Sequence, residues 1–407
     1  MKRFFFYLGA SLLLLPACND ESEVPAPNPR VEIDFPTMNM EQLNSNLLDF
    51  SINFFRQSAS SQPTNLCVSP LSMGYCLGLA LNGAEGDTEA EIRQVLGFGD
   101  ASTADVNAYM KLMIETLPAM DNQTTFVAAN SVWAKAALLP EYVETCTDNY
   151  RAEIRPNVAF DSETVQQVND WCNEKTNGLI PEFVDGFGDN TRLLLLNALY
   201  FKSFWTEKFK EENTRHEPFY LLNGQVQQVP TMHKSENIVA FEDKEEGIQL
   251  AKIPYGNGTF SMILVMPQEE HLPTFLDKLT PEMWDEWMAY QVEDEIDIYL
   301  PRFTMRYENE NMEETLMAMG MEKSFSSLAD FSRMSDESLK LSKAMQKVYI
   351  EVDESGTEAA AVSGTGMDAT DPGPVESKEL RFDHPFAFFI TEESTGAMLF
   401  AGTVYRP

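Results

Sequence analysis

Lys347-Val348-Tyr349-Ile350-Glu351-Val352-Asp353-Glu354-Ser355-Gly356-Thr357-Glu358-Ala359-Ala360-Ala361 is the stretch of this chain on which the fold turns. Its first half alternates apolar and polar side chains, the period of a half-buried strand. It then runs without a break into a segment of another kind. From Glu354 to Lys378 the chain is rich in Gly, Ala, Ser and Thr and holds no aromatic residue. A loop this long inside a compact domain is either functional or unstructured.

Read as a strand, the segment sorts its side chains onto two faces. One face takes Thr357, Ala359, Ala361, Ser363, Thr365 and Met367, none of them charged. The other takes Glu358, Ala360, Val362, Gly364, Gly366 and Asp368. Proline, which would interrupt a central ladder, first occurs at Pro372. The segment therefore suits insertion into a sheet with its uncharged face inward. Its composition alone favours a flexible small-residue linker that never inserts.

The rest of the chain supplies the context. It has 407 residues, 43% hydrophobic, ample for a large core and too apolar for a disordered chain. Its formal net charge of −35 repels phosphate, which excludes nucleic acid as a partner. The N-terminus opens with Lys2 and Arg3 and an apolar run, Phe4 to Leu15, too short to span a bilayer. That run closes on Leu15-Pro16-Ala17-Cys18. It reads as a secretory signal over 1–17. Cys18 after a small residue resembles a bacterial lipobox, which implies lipid on Cys18 and a membrane-held exported protein. Residues 18–36, acidic and Pro-rich, read as a tether. Asp20, Glu21 and Glu23 resemble the surface-export tags of some outer-membrane lipoproteins. Cys67, Cys76, Cys146 and Cys172 lack metal or redox spacing and read as buried thiols, with disulfide pairing left open.

Within 37–407 the first half reads helical. Leu43, Leu47, Phe50 and Phe54 recur at helical spacing, Ser69-Pro70 opens a helix through Leu81, and Asn177-Gly178 stops one over Asp170 to Thr176. Thr88 and Glu91 have the spacing of a capping box. The second half reads as strands: Phe260 to Met266 after the Gly256-Asn257-Gly258 turn, Ile296 to Leu300, and Phe386 to Ile390 with Met398 to Val404 joined across Ser394-Thr395-Gly396. A short helix fits Met312 to Met319. Helices first and strands later predict an α+β fold with large, mostly antiparallel sheets.

Enzyme machinery is missing from this pattern. The four histidines, His216, His233, His271 and His384, form no HExxH, and there is no GxSxG, P-loop or GxGxxG. His384, ahead of Pro385 and an apolar strand, reads as structural. No cofactor or metal is expected.

The segment from Glu354 to Ala361 resembles the hinge of inhibitory serpins, and the resemblance runs along nearly the whole mature chain. Val68-Ser69-Pro70-Leu71-Ser72, Gly83-Ala84-Glu85-Gly86-Asp87-Thr88, Asn197-Ala198-Leu199-Tyr200-Phe201-Lys202 with Trp205 and Phe209, Tyr299-Leu300-Pro301-Arg302-Phe303, Ala329-Asp330-Phe331-Ser332, and His384-Pro385-Phe386 with Leu399-Phe400-Ala401-Gly402 are similar to family landmarks, in family order. The resemblance implies the serpin fold with an exposed reactive-centre loop over 354–378. It implies a monomeric suicide substrate, not an enzyme, that traps a serine protease as a covalent acyl complex. It places the hinge at Glu354, Gly356, Thr357, Glu358, Ala359, Ala360 and Ala361. A hydrogen-bond cluster under the sheet would consist of Ser69, Ser72, Asn197 and Gln346. Family spacing puts the scissile bond at Thr370-Asp371, with Met367-Asp368 and Ala369-Thr370 as alternatives. The loop has no Arg, Lys or aromatic residue before Lys378, so elastase-like or subtilisin-like proteases suit it better than trypsin-like or chymotrypsin-like ones. Three departures stand out. Gln346 replaces a frequent His, Glu354-Ser355 replaces a frequent acidic pair, and Gly364 and Gly366 weaken strand propensity. Carriers or chaperones built on the same fold tend to have bulky, charged or Pro residues in the hinge, whereas the inward face of this one, Thr357, Ala359 and Ala361, has none. A surface adhesin on the same fold is a third reading.

Overall fold

A computed structural model describes residues 26–60, 63–245, 247–268, 270–309, 312–342, 344–357 and 378–407. The helical first half comprises α1 (Met38–Ala59), α2 (Pro70–Gly83), α3 (Gly86–Val95), α4 (Thr103–Thr116), α5 (Pro140–Tyr150) and α6 (Ser162–Lys175). Shorter helices follow: α7 (Leu272–Lys278), α8 (Pro281–Ala289) and α9 (Met312–Ala318). In α1 the residues at helical spacing, Leu43, Leu47, Phe50 and Phe54, are all buried. The α2 helix starts as Ser69-Pro70 predicts. Ser69 Oγ accepts the Ser72 N–H, and Pro70 takes the first-turn position where no donor is missed. Nearly every residue of α2 is buried, so it runs through the core rather than along its surface.

The strands are β1 (Leu66–Val68), β2 (Thr124–Ala134), β3 (Glu153–Arg155), β4 (Leu193–Phe204), β5 (Arg215–Tyr220), β6 (Val226–Asp243), β7 (Ile248–Tyr255), β8 (Phe260–Pro267), β9 (Glu293–Pro301), β10 (Phe303–Asn309), β11 (Gln346–Val352), β12 (Gly356–Thr357), β13 (Lys378–Arg381), β14 (Phe386–Glu392) and β15 (Met398–Val404). Among the described residues they form two sheets. The larger runs β1-β15-β14-β8-β7-β6-β9-β13, with β5 on β6. The smaller runs β10-β11-β12-β4-β2-β3. Pairing is antiparallel except for β13 on β9 and β3 on β2. The main core lies between the sheets and the N-terminal helices, and a second cluster joins α6 to the opposite face of β4 through Trp171, Phe183, Leu194 and Leu196. Alternate side chains of β4 thus serve two cores. The predicted α+β class holds.

Two expectations change. The α3 helix begins at Gly86, so Thr88 lies inside it and caps nothing; no capping box forms. Thr88 Oγ1 instead accepts the Asp330 N–H at 2.9 Å, and Glu91 accepts the Lys323 N–H at 2.7 Å. Both side chains hold a segment more than 200 residues away in sequence. Residues 26–36 are not a free tether either. Asn28 is hydrogen-bonded to the loop before β2, and Ile33 is buried against the core. The remainder of that tether, the signal segment and Cys18 lie outside the described residues.

Cys67, Cys146 and Cys172 are buried and Cys76 half-buried, all as free thiols. Burial pushes the Cys76, Cys146 and Cys172 thiols up to about 12, which keeps them protonated and unreactive. His384 stacks on Tyr220 and bonds Asp383, a structural placement. Among the described residues no helix is long and apolar enough to cross a membrane.

Candidate functional site

The site lies at the head of the smaller sheet, where β11 leaves the ladder. Asp353 turns the chain. Its side chain accepts the N–H groups of Ser355 (2.8 Å) and Gly356 (3.2 Å), and its own N–H donates to Gly356 O at 3.0 Å. Burial raises the Asp353 carboxyl above its usual range despite those two donors. The chain then re-enters the sheet as β12, of which the described residues are Gly356 and Thr357. Thr357 stands opposite Val352 of β11 on one side and Ser203 of β4 on the other, and Gly356 opposite Phe204.

Gly356 is there because nothing else fits. Its φ is 153°, and a Cβ would lie 2.0 Å from Ser203 O. Thr357 is 1% exposed, and its hydroxyl meets the Tyr255 hydroxyl at 2.6 Å. That confirms the inward parity read from the sequence for the first residue of the uncharged face. Glu354 points the other way into a polar clasp. Its carboxylate accepts Arg302 Nε at 2.7 Å, pairs with the same guanidinium through Nη2, and accepts the Thr214 hydroxyl.

The turn is braced from below by Trp205. Its N–H donates to Ser355 O (2.9 Å), its indole Nε1 to Asp353 O (2.8 Å), and its ring stacks on Tyr255 at 4.4 Å. Phe209 N–H donates to Glu354 O at 3.0 Å. Under these rings lies a buried ion pair, Lys234–Glu236, at 2.5 Å. The ammonium sits 4.6 Å from the Phe209 ring centre and also donates to Glu207 O. Burial lowers the Lys234 pKa and raises that of Glu236, and the attraction between the two opposes both shifts.

Below Thr357, β11 and β4 are not paired with each other among the described residues. The expected cluster beneath this part of the sheet is split in two. Gln346 closes a two-way bond on the Ser69 backbone: Ser69 N–H to Oε1 at 3.1 Å, and Nε2 to Ser69 O at 2.7 Å. The amide thus satisfies both groups. Ser69 Oγ then donates to Leu399 O and accepts from Ser72 N–H. Asn197 does not join them. Its Nδ2 donates to Asn130 Oδ1 on β2, and Asn130 Nδ2 donates to Tyr150 O at the end of α5. Of the residues read as the hinge, Glu354, Gly356 and Thr357 stand at this turn. Glu358, Ala359, Ala360 and Ala361, the bonds among Met367, Asp368, Ala369, Thr370 and Asp371, and Cys18 lie outside the described residues.

Sequence reading missed Thr214, Lys234, Glu236, Tyr255 and Asn130. The one local signal was Lys234-Ser235-Glu236, opposite charges on one face of a strand; the others are ordinary strand residues until their partners arrive.

Residues 45–407 match the family model for serpins, the serine protease inhibitors. The chain is a serpin. Leukocyte elastase inhibitor A of Mus musculus is 32% identical, over 90% of this serpin and 100% of the relative. The solved structure of tengpin, a thermophilic serpin in its native state, has a TM-score of 0.84 at 29% identity and covers 94% of this chain and 98% of its own. Human thyroxine-binding globulin in complex with thyroxine has a TM-score of 0.82 at 24% identity, covering 91% of this chain and 99% of its own, so it shares the fold. Serpins are mostly protease inhibitors rather than enzymes.

Proposed function

We propose that this serpin is a lipid-anchored inhibitor of elastase-like or subtilisin-like serine proteases that acts as a suicide substrate. The observation that carries the reading is the two-residue entry of the hinge between β11 and β4, with Thr357 facing the core. Continuing that register sets Ala359 beside Ile350 and Phe201, Ala361 beside Val348 and Leu199, and Ser363 between Gln346 and Asn197. Every inward position down to Met367 is uncharged and none is Pro, so the ladder can extend without burying a charge.

In the proposed reaction the serine hydroxyl of the target attacks the Thr370 carbonyl carbon. The Thr370–Asp371 amide bond breaks, the hydroxyl proton leaves on the Asp371 amine, and an ester links target to inhibitor. Insertion then outruns hydrolysis. About a dozen new ladder residues at roughly 1 kcal/mol net per hydrogen bond supply on the order of 10 kcal/mol, enough to distort a catalytic centre. Small residues around the bond suit shallow specificity pockets. The carrier reading has less support, because the hinge holds nothing that would block entry. Incubation of the mature protein with pancreatic elastase or subtilisin, followed by a denaturing gel, tests the proposal. A denaturant-stable band near the summed masses is expected. Clipped inhibitor with full protease activity in every case contradicts it.

A further inference from the structure

The segment that follows the lipid site is fastened to the hinge end of the body. Asn28 and Asn122 bond reciprocally. Asn28 N–H donates to Asn122 Oδ1 at 3.1 Å and Asn122 N–H to Asn28 Oδ1 at 2.9 Å. Asn28 Nδ2 donates to Met120 O, Asn257 Nδ2 donates to Asn28 Oδ1, and Asn122 Nδ2 donates to Ala26 O. Further on, Ile33 N–H donates to Ser394 Oγ, and Ile33 is buried. The docking point stands close to the hinge. Thr124 pairs with Ser203, and Ser203 with Thr357. Two ladder steps of about 5 Å, plus the two residues from Asn122 to Thr124, put Asn122 within about 20 Å of Thr357.

From these contacts we infer that the arm orients the anchored molecule, holding its hinge end toward the lipid surface. The inference rests on lipid attachment at Cys18. From Cys18 to Ala26 the chain can reach no more than about 30 Å. Undocked as far as Pro36, the same tether would reach about 60 Å and let any face approach the bilayer. The foot of the sheet lies the length of β4 away, 12 residues or about 40 Å. The bait is therefore displayed in the layer next to the membrane, where it meets proteases that attack proteins held at the membrane surface.

The test uses the full-length lipidated protein in vesicles of phosphatidylethanolamine with a minor share of phosphatidylglycerol, carrying a headgroup-labelled acceptor lipid. A donor dye is placed at the hinge end with Glu211→Cys or at the foot with Asp189→Cys, both exposed positions, in a Cys76→Ser background. Energy transfer several-fold higher from the hinge end is expected. A flexible Gly/Ser insert of about 20 residues after Glu23, which leaves every contact of the arm intact, should abolish the difference. The double variant Asn28→Ala, Asn122→Ala should reduce it. Flotation with the vesicles but equal transfer from both ends overturns the orientation and leaves the anchor standing. A difference that survives the insert overturns the role of the arm. Failure to float overturns the anchor, and this inference with it.

Discussion

Gly356 shows how narrowly the hinge is built. A methyl group there would overlap the Ser203 carbonyl, so Gly356→Ala must push β12 out of the ladder or displace β4. A loss of about 1–3 kcal/mol in native stability is expected from urea unfolding. An unchanged midpoint would mean that β12 is not seated as described. Lys234 and Glu236 make a second case at the same scale. Removing one partner strands a buried charge, so Lys234→Ala should cost about 3–5 kcal/mol. The double variant Lys234→Met, Glu236→Leu should cost clearly less, because no ion is left unpaired. Equal losses in thermal or urea unfolding would show that the pair acts only by filling space.

At the scale of elements, much was legible because it is local. The alternation from Val348 to Val352 gave β11, the Ser69-Pro70 start gave α2, and Gly256-Asn257-Gly258 gave the β7–β8 turn. The uncharged face of the hinge gave the inward placement of Thr357. What failed was whatever a distant segment had claimed. Thr88 and Glu91 have capping-box spacing, but backbone donors of Asp330 and Lys323 occupy them. An Asn at position 28 looks like tether until Asn122 faces it. Asn197 was grouped with Ser69 by resemblance, yet its amide bonds Asn130 across β2. None of these partners lies within a sequence window. The family landmarks reached further than the physics of local pattern, since they carry the fold's long-range pairings with them.

At the scale of the whole molecule, Gly356 and Thr357 already stand between β11 and β4, and the proposed insertion would extend that ladder. A cut in the loop should release the rest. If insertion adds about 10 kcal/mol, nicking at or near Thr370 by a protease that is not itself trapped should raise the melting temperature by about 10–15 degrees. Calorimetry of intact and nicked protein checks this, and a nicked form that melts with the intact one would show that the segment stays out.

The most direct measurement of the central claim is the partition between covalent complex and clipped inhibitor for Thr357→Arg. Thr357 faces the core beside Tyr255, so an arginine must be buried unpaired or must stall the strand, at a cost of several kcal/mol. Stalling gives the acyl-enzyme time to hydrolyse. On a denaturing gel after reaction with elastase, Thr357→Arg should yield clipped inhibitor at a near wild-type cleavage rate and little complex. Glu358→Arg, whose side chain would fall on the opposite face of an inserted strand, should trap the protease almost as well as wild type. Complex formed equally by wild type and both variants would contradict insertion as the mechanism.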